Sequence, residues 1–252
     1  MPWASLLQCE LLFSNRFNLN TIWKTMNEIL WLGFALIDLA ITLAVFRFFG
    51  RAGLLSMIVF NLIICNIQVL KTVELFGLTT TLGNILYAGV FLATDILSEF
   101  YGKEKAQEGV KLGFLALILS TLYMNIALLF VPAADDFAQP HLQAIFSFMP
   151  RVGAASLLAY TVSQWHDVWA FHFFKEKTQG RMLWLRNNLS TGISQLLDSL
   201  IFCSVAFIGV FPWAIWLNIL ISTYIIKLVV AFLDTPFIYL ARKIFLANRV
   251  AA

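Results

Sequence analysis

The sequence predicts an all-α fold: a polytopic membrane helix bundle with about seven transmembrane helices. Composition is the first reason, because hydrophobic residues make up 60% of the 252 residues and charged residues only 12%. The mean hydropathy is +0.82. Soluble globular domains carry about 25% charged residues, so an ordinary soluble domain is excluded. The second reason is that the apolar residues are gathered into long runs.

Seven of these runs are long enough to cross a bilayer, since a membrane-spanning helix needs about 20 mostly apolar residues. The predicted spans, numbered one to seven, cover about 29 to 49, 53 to 76, 79 to 100, 110 to 132, 151 to 174, 189 to 211 and 215 to 241. We therefore expect an N-terminal tail at residues 1–28 and a single transmembrane domain at residues 29–252.

The N-terminal tail lacks the basic start, the long apolar core and the small residues at a cleavage site that define a secretory signal peptide. Two interpretations stay open. Either the tail is an ordered interfacial segment with Trp3 and Trp23 at the headgroup level, or translation starts at Met26.

The distribution of lysine and arginine predicts the orientation in the membrane. The connections after spans one, three and five and the segment after span seven carry Arg47, Arg51, Lys103, Lys105, Lys111, Lys175, Lys177, Arg181, Arg186, Arg242, Lys243 and Arg249. The opposite side has only Arg16, Lys24 and Arg151. Because cytoplasmic loops carry the excess of basic residues, we expect the N-terminus outside and the C-terminus in the cytoplasm.

Cofactors and nucleic acid are not expected from this sequence. Cys9, Cys65 and Cys203 show no Cys-x-x-Cys spacing and are interpreted as small apolar residues rather than metal ligands or disulfide partners. The net charge of +3 is explained by the basic loops, so it indicates no nucleic-acid partner. The chain has no GxxxxGK[ST] loop, and we expect it not to hydrolyse ATP itself.

Polar stripes run along four of the predicted spans. Ionisable residues in membrane helices are costly, and they usually face the bundle interior or a transport path. The stripes are Asp95, Ser98 and Glu99 in span three, Gln164 and Asp167 in span five, Gln195 and Asp198 in span six, and Lys227 and Asp234 in span seven. At about 1.5 Å per residue, Asp95, Asp167 and Asp234 come out roughly 8 to 10 Å on the cytoplasmic side of the membrane midplane, and Gln195, Asp198 and Lys227 within about 7 Å of it. We therefore expect one cavity lined by all four stripes.

Structural interpretations stand beside this one. Lys227 neutralises Asp198 or Asp234 in a buried pair, which does not prevent it from lining a cavity. Asn66 in span two either joins helices through hydrogen bonds or faces the site. Asp38 is a lone acid in span one, and we interpret it as a packing or interfacial group rather than a ligand contact.

Two further candidates have equally open interpretations. Trp165 and Trp169 flank Asp167, so either ring is placed to stack on a flat ligand. Tryptophan near the membrane interface is more often an anchor. Glu99 lies close enough to the end of its span to be solvated instead of bound to a ligand.

A short pattern occurs twice in the chain. "DILSEFYGKEKAQ" begins at Asp95 and "DVWAFHFFKEKTQ" at Asp167, and in both an aspartate precedes Lys-Glu-Lys by the same spacing. The pattern suggests a parallel repeat of helix hairpins, as in many transporters. The basic residues follow from the positive-inside rule alone, so the functional part of the pattern is the aspartates.

Two long blocks carry a family resemblance: "GLTTTLGNILYAGVFLATDILSEFYGKEKAQEGVKLGF" and "QWHDVWAFHFFKEKTQGRMLWLRNNLSTGISQLLDSLIF". In these blocks the chain resembles the queuosine precursor transporter family, also called the vitamin uptake transporter (VUT) family, and the likeness runs from about Ser56 to Arg242. Members are integral inner-membrane proteins of bacteria and archaea. The resemblance implies import of 7-cyano-7-deazaguanine or 7-aminomethyl-7-deazaguanine, salvaged to make the tRNA base queuosine.

The resemblance also implies a set of site residues. The family's polar motif positions correspond to Asp95, Glu99, Gln164, Asp167, Arg186, Asn187, Asn188, Gln195 and Asp198. An N-cap and an inside charge explain the Arg-Asn-Asn run equally well. Many members have about six helices, so span one looks like an addition at the N-terminal side.

The function expected from the resemblance is transport, not catalysis. A deazaguanine offers adjacent N–H donors to a carboxylate and a carbonyl to an amide or lysine, and its flat face suits an aromatic ring. Coupling stays open between facilitated diffusion, proton coupling through Asp167 or Asp198, and a separate energy-coupling ATPase partner. A homodimer is also compatible. An intramembrane enzyme is the competing class, but the sequence has none of its motifs, such as HExxH or GxSxG.

Overall fold

The structure is a computed structural model that describes the backbone of residues 3–177 and 183–250 and the side chains of 25–166, 169–170, 173, 192–230, 233–234 and 236–246. The elements in chain order are α1 (Trp3–Gln68), β1 (Thr72–Leu75), β2 (Leu78–Thr81), a 3-10 turn (Leu82–Asn84), α2 (Tyr87–Tyr101), α3 (Lys103–Ala127), α4 (Gln139–Phe146), α5 (Met149–Lys177), α6 (Leu183–Phe207), α7 (Trp213–Leu233) and α8 (Thr235–Val250). The predicted all-α membrane bundle is confirmed.

Long apolar helices account for most of the described chain. Four segments are long and apolar enough to cross a membrane: Thr25–Gln68, Lys103–Ala127, Gln139–His166 and Trp213–Val230. Gly192–Phe207 is apolar but shorter. The number of crossings, seven, stays a prediction.

A sharp break at Gly50 divides α1 into two helices. Gly50 has φ 56° and ψ −135°, a conformation that only glycine adopts without strain. The halves of α1 before and after Gly50 correspond to predicted spans one and two, which we expected to be joined by a short loop. The helix begins at Trp3, so the backbone of the predicted tail continues into span one without interruption.

A β-hairpin replaces the junction that we expected between spans two and three. Its strands pair antiparallel, with Thr72 opposite Thr81 and Leu75 opposite Leu78. The two-residue loop between them, Phe76 and Gly77, has φ 51° and 78°, as a type I′ hairpin turn requires. The predicted limits of spans two and three, residues 76 and 79, are therefore wrong. The segment is apolar enough to resemble a helix, but its alternation of threonine, valine and leucine favours strands.

The hairpin shortens the following helix. Because the strands and the 3-10 turn occupy residues 72 to 84, α2 does not begin until Tyr87 and has only 15 residues, about 22 Å of helix. It ends at Gly102, where φ is 93°. Predicted span three thus corresponds to a helix that is shorter than the hydrocarbon core of a bilayer, which is about 30 Å thick.

Predicted span seven is also wrong in its extent, since α7 ends at Leu233 and a separate helix, α8, begins at Thr235. Pro236 explains the interruption. Proline has no backbone N–H and its ring clashes with the carbonyl four residues earlier, so it cannot continue a helix. Asp234 therefore lies at the junction rather than inside α7, and its backbone carbonyl accepts a hydrogen bond from Phe237 N–H at 2.9 Å.

The largest buried core joins α1, α2 and α8. Leu39 and Phe46 from α1 and Leu92 from α2 are all fully buried there. Phe100 at the end of α2 stacks on Phe245 of α8, with 4.6 Å between the ring centroids. The first half of α1 is therefore part of the bundle core, although the sequence presented it as an addition to the family's helices.

The bundle has two distinct ends. The "hairpin end" contains residues 72 to 84. The "Gly50 end" contains the break in α1, since a Cβ built at Gly50 would lie 3.8 Å from the Tyr101 hydroxyl at the end of α2. Because α2 runs from the hairpin end to the Gly50 end, the start of α3 also lies at the Gly50 end.

Candidate functional site

A cavity of about 230 Å³ lies in the middle of the bundle, between α1, α2, α3, α5, α6 and α7. Its polar lining includes six residues from the predicted site: Asp95, Ser98, Gln164, Gln195, Asp198 and Lys227. The structure thus brings together side chains from four of the predicted spans. This convergence follows from their similar depth along helices that pack side by side.

A partly buried ion pair lies in the cavity, with the Asp198 side chain 20% exposed. Lys227 on α7 is only 5% exposed, and its Nζ donates to Asp198 Oδ2 on α6. The other carboxylate oxygen, Oδ1, accepts from the Ser163 hydroxyl at 3.5 Å. Of the two partners that the sequence allowed for Lys227, the structure selects Asp198 over Asp234. Both residues also line the cavity, so the ion pair joins α6 to α7 and contributes to the cavity lining.

Gln195 places a free acceptor beside this pair. It lies one turn before Asp198 on α6, and both side chains line the cavity. Its Oε1 is buried and accepts no hydrogen bond from any group that the structure describes. A buried acceptor without a donor is costly, by about 1–3 kcal/mol. A bound molecule with an N–H group would remove that cost.

Asp95 and Ser98 on α2 lie toward the mouth of the cavity, where both are exposed. No hydrogen bond or ion pair joins the Asp95 carboxylate to another side chain in the described part of the protein. Gln164 on α5 also lines the cavity and is exposed. A carboxylate, an amide and a hydroxyl are therefore available for a ligand here, without breaking an existing contact of Asp95.

Aromatic rings form part of the cavity wall, and none of them is among the site residues that the sequence predicts. Tyr87 and Phe91 lie on α2 with ring centroids 5.9 Å apart, and Phe114 of α3 contacts Tyr160 of α5 at 5.2 Å. Lys227 Nζ lies 5.4 Å from the centroid of the Tyr87 ring. The signal was present, since Tyr87, Phe91 and Asp95 are spaced four residues apart and so share one helix face.

Several predicted residues lie outside the cavity. Glu99 is on the exposed face of α2 and does not line it. Asp234 is buried at the α7–α8 junction, behind the lining but close enough to Asp95 for the two charges to interact. Asn66 is also one layer behind, where its Oδ1 accepts from the Ser156 hydroxyl at 2.7 Å. Ser156 itself lines the cavity.

The two tryptophans of α5 face away from the cavity. Trp165 is 71% exposed and Trp169 is 52% exposed. The Trp169 ring stacks on Phe173 at 5.4 Å between centroids. Both rings are therefore on the outer surface of the described bundle, and neither lines the cavity. The side chains of Asp167, Arg186, Asn187 and Asn188 lie outside the described residues, and their ligand roles stay predictions.

The cavity opens at the Gly50 end. Asp95, Ser98, Lys103 and Gln107 line it and are exposed. The opposite end of the lining is closed, since Leu62, Ser156 and Lys227 are each at most 5% exposed. Among the described lining residues, the exposed ones thus lie toward the Gly50 end and the Lys227–Asp198 pair lies deeper.

The hairpin and the 3-10 turn contact α7 about one turn from Lys227. Thr80 and Thr81 of β2 are buried there, at 0% and 1% exposure. The Ser222 hydroxyl on α7 donates to the Thr79 carbonyl at 3.3 Å. One residue on, Thr223 accepts from Asn84 Nδ2 at 3.2 Å. The hairpin and the 3-10 turn are thus fastened to α7 by side-chain hydrogen bonds, and Leu75 of β1 also belongs to the apolar core that contains Ile226 and Val230 of α7.

The arrangement suits a small, flat and polar molecule. Ligand pockets for drug-sized molecules measure about 300–1,000 Å³, so a cavity of about 230 Å³ fits a single heterocyclic base better than a larger cofactor. Carboxylates, amides and one lysine supply both acceptors and donors. Among the described residues no group of three or more His, Cys, Asp and Glu side chains is arranged to hold a metal ion.

Comparison with known proteins places the chain among membrane transporters. The sequence profile of a family described as "Putative vitamin uptake transporter" matches residues 81–241. A Bacillus subtilis (strain 168) protein named "Probable queuosine precursor transporter" is 46% identical over 218 residues, which are 86% of this chain and 95% of that protein. An Escherichia coli (strain K12) protein named "Queuosine precursor transporter" is 28% identical over 170 residues, or 66% of this chain and 74% of that protein.

No solved structure matches this chain. The family profile and the first of these relatives nevertheless cover most of the sequence, and they include the helices that line the cavity. The predicted resemblance is confirmed. This protein is a multi-pass membrane protein that belongs to the vitamin uptake transporter family.

Proposed function

We propose that this protein carries a queuosine precursor, 7-cyano-7-deazaguanine or 7-aminomethyl-7-deazaguanine, across the cytoplasmic membrane into the cell. The observation that carries the proposal is the Lys227–Asp198 pair beside the unpartnered Gln195 oxygen, inside a cavity with aromatic walls. The names of the two relatives point to the same class of substrate.

The chemistry of the base matches this lining. A 7-deazaguanine presents a ring N–H and an adjacent amino group, which one carboxylate accepts together, and a carbonyl that a cationic donor binds. Asp198 accepts the two donors in our proposal, and Lys227 turns from Asp198 to the carbonyl. Gln195 Oε1 accepts a further N–H of the base. Binding therefore replaces one contact between opposite charges by three charge-assisted hydrogen bonds to the neutral ring of the base.

The aromatic walls hold the flat faces of the base. Tyr87 and Phe91 form one pair of rings in the cavity lining, and Phe114 and Tyr160 form another. Stacking of a base on an aromatic side chain contributes about 1–3 kcal/mol. Asp95, near the mouth, is the first carboxylate that the base meets from the Gly50 end. In 7-aminomethyl-7-deazaguanine the cationic amine pairs with it.

The conformation corresponds to a carrier that is open to the cytoplasm. The basic connections predict that the Gly50 end faces the cytoplasm, and the cavity opens at that end. Release into the cell then needs no further opening, whereas uptake needs the hairpin end to separate from α7. The orientation with the N-terminus outside is part of the proposal.

Uptake by purified protein in liposomes tests the proposal. Vesicles containing the protein should accumulate labelled deazaguanine, and excess unlabelled base should abolish the signal. The Asp198→Asn variant should be inactive. The matched control is Glu104→Gln, which changes an exposed acid at the start of α3 and should transport like wild type. No uptake by wild type, with or without a proton gradient, would refute transport by this chain alone.

The same vesicles separate the modes of coupling. Rapid equilibration without a gradient supports facilitated diffusion, and a strict requirement for an inward proton gradient supports proton coupling. If the base binds but no transport occurs until a partner ATPase is added, the chain is the substrate-binding subunit of a larger carrier. Size analysis of the purified protein in detergent distinguishes a monomer from a homodimer.

A further inference from the structure

Asp38 is a buried acid that the proposed binding site does not use. It lies in the first half of α1 and is 4% exposed. Its Oδ1 accepts from Asn61 Nδ2 at 2.9 Å, and its Oδ2 accepts from the backbone N–H of Gly89 at 2.9 Å. One carboxylate thus joins the first half of α1 to the second half and to α2.

The Gly89 contact lies at the beginning of α2. The first backbone N–H groups of a helix have no partner inside the helix, and Gly89 is the third residue of α2. The residue at the N-cap position, Leu86, makes no side-chain capping bond. Asp38 therefore caps α2 from another helix. Its negative charge also suits the positive end of the helix dipole.

The three side chains fit together because residue 89 is glycine. A Cβ at that position would overlap both Asp38 Oδ2 and Asn61 Nδ2. Gly89 therefore lets the carboxylate approach the backbone of α2 directly. The contact restrains both the translation of α2 along its axis and its rotation about that axis. Both restraints act at Gly89, through its hydrogen bond to Asp38 and through the lack of space for a side chain.

The position of α2 determines one wall of the cavity. Tyr87, Phe91 and Asp95 all belong to α2 and line the cavity, and Gly89 lies within the same first turns. We propose that Asp38 is a positioning residue: it holds α2 so that these three side chains meet the substrate, and it does not touch the substrate itself. This inference rests on the proposed function of the cavity. It also gives the first half of α1 a role.

Variants at position 38 separate positioning from a role of the charge. Asp38→Ala removes both hydrogen bonds. Asp38→Asn removes the charge and keeps both hydrogen bonds. Its amide oxygen accepts from Gly89 N–H, and its NH₂ group donates to Asn61 Oδ1 after the Asn61 side-chain amide flips. In the described structure Asn61 Oδ1 has no other partner. Asn61→Ala removes one of the two bonds and serves as a milder variant.

Deazaguanine uptake in proteoliposomes is the first measurement. We expect Asp38→Ala to raise KM at least about tenfold with a smaller change in Vmax. Asp38→Asn should stay within about threefold of wild type, and Asn61→Ala should lie between them. An Asp38→Asn variant as defective as Asp38→Ala would overturn the proposal, because the charge itself would then be required. An unchanged KM in Asp38→Ala would also overturn the proposal. If Asp38→Ala does not reach the membrane, an unchanged KM in Asn61→Ala would overturn it instead.

A second measurement needs no substrate. Ser98→Cys is introduced in a background with Cys9→Ser, and its rate of reaction with a membrane-impermeant maleimide is measured in inverted vesicles. Cys65 and Cys203 are buried. Asp38→Ala should change this rate at least about threefold, because α2 moves, and Asp38→Asn should leave it unchanged. Equal rates in all variants would refute the positioning role.

The two measurements fail independently. If wild type transports no deazaguanine but the labelling rates differ as expected, the proposed substrate is wrong and the positioning of α2 by Asp38 stands. If transport is as proposed but the labelling rates do not differ, the positioning role is wrong and the function stands.

Discussion

Thr223 and Lys227 lie one turn apart on α7 and fasten different parts of the protein. Thr223 accepts the hydrogen bond from Asn84 beside the hairpin, at 3.2 Å, and Lys227 pairs with Asp198 in the cavity. The hydrogen bond to the hairpin region and the ion pair in the cavity are therefore attached to the same helix face. If the proposed substrate separates Lys227 from Asp198, we expect the restraint on α7 and on the hairpin to change.

Variants of the Lys227–Asp198 pair should show different effects on protein stability and on transport. Removing one partner of a buried pair costs about 3–5 kcal/mol, because the other charge stays buried. We expect Asp198→Asn to lower the Tm of the purified protein and abolish uptake. The double variant Asp198→Asn with Lys227→Met should recover most of the Tm but no uptake. Recovery of both would show that the pair is only structural.

Gln195→Leu should abolish high-affinity uptake without lowering stability. Its Oε1 has no donor among the described residues, so leucine removes an unsatisfied group and no contact. We expect KM to rise about tenfold or more, the cost of a lost ligand hydrogen bond, with Tm unchanged or higher.

Thr121→Val is the matched control for Gln195→Leu. The Thr121 hydroxyl is also buried and unpartnered in the described structure, but it does not line the cavity. Its KM should equal that of wild type. Equal effects of the two changes would place Gln195 outside the binding site.

Tyr87→Ala should weaken binding through lost stacking. A base–aromatic contact is worth about 1–3 kcal/mol, so KM should rise roughly 5- to 150-fold. Tyr87→Phe keeps the ring and should lose much less. Trp169→Ala, which changes an aromatic ring outside the cavity, should leave KM unaltered. A larger effect for Trp169 than for Tyr87 would contradict the assignment of the walls.

Cross-linking Asn84 to Thr223 should block uptake. The two side chains are hydrogen-bonded at 3.2 Å, so cysteines at both positions are close enough for a short bifunctional thiol reagent. We expect a reducible cross-link to stop uptake from outside and a reductant to restore it. Binding from the Gly50 end should persist in the cross-linked protein. Uptake that continues at full rate after complete cross-linking would show that the barrier opens elsewhere.

The membrane bundle and part of the cavity lining were predictable from the sequence. Hydropathy identifies helices because the bilayer requires long apolar segments, and a rise of about 1.5 Å per residue brings polar groups of equal depth together. Gln195, Asp198 and Lys227 meet for that reason. Depth alone does not give the direction of a side chain, so Glu99 was included although it faces away from the cavity.

The hairpin and the role of Asp38 could not be read from hydropathy. Val73 and Leu75 are as apolar in a strand as in a helix, and only the left-handed turn at Phe76 and Gly77 distinguishes the two. Asp38 has its partners 23 and 51 residues away, so no local pattern reveals them. The interruption at Pro236, by contrast, was visible in the sequence.

The close fit around Gly89 also restricts how this protein can change over evolutionary time. A larger residue at position 89 collides with Asp38 and Asn61, and an apolar residue at position 38 leaves the start of α2 uncapped. Positions 38, 61 and 89 are therefore expected to vary as a set in descendants of this chain. Asparagine at position 38 is the one single step that we expect to be tolerated.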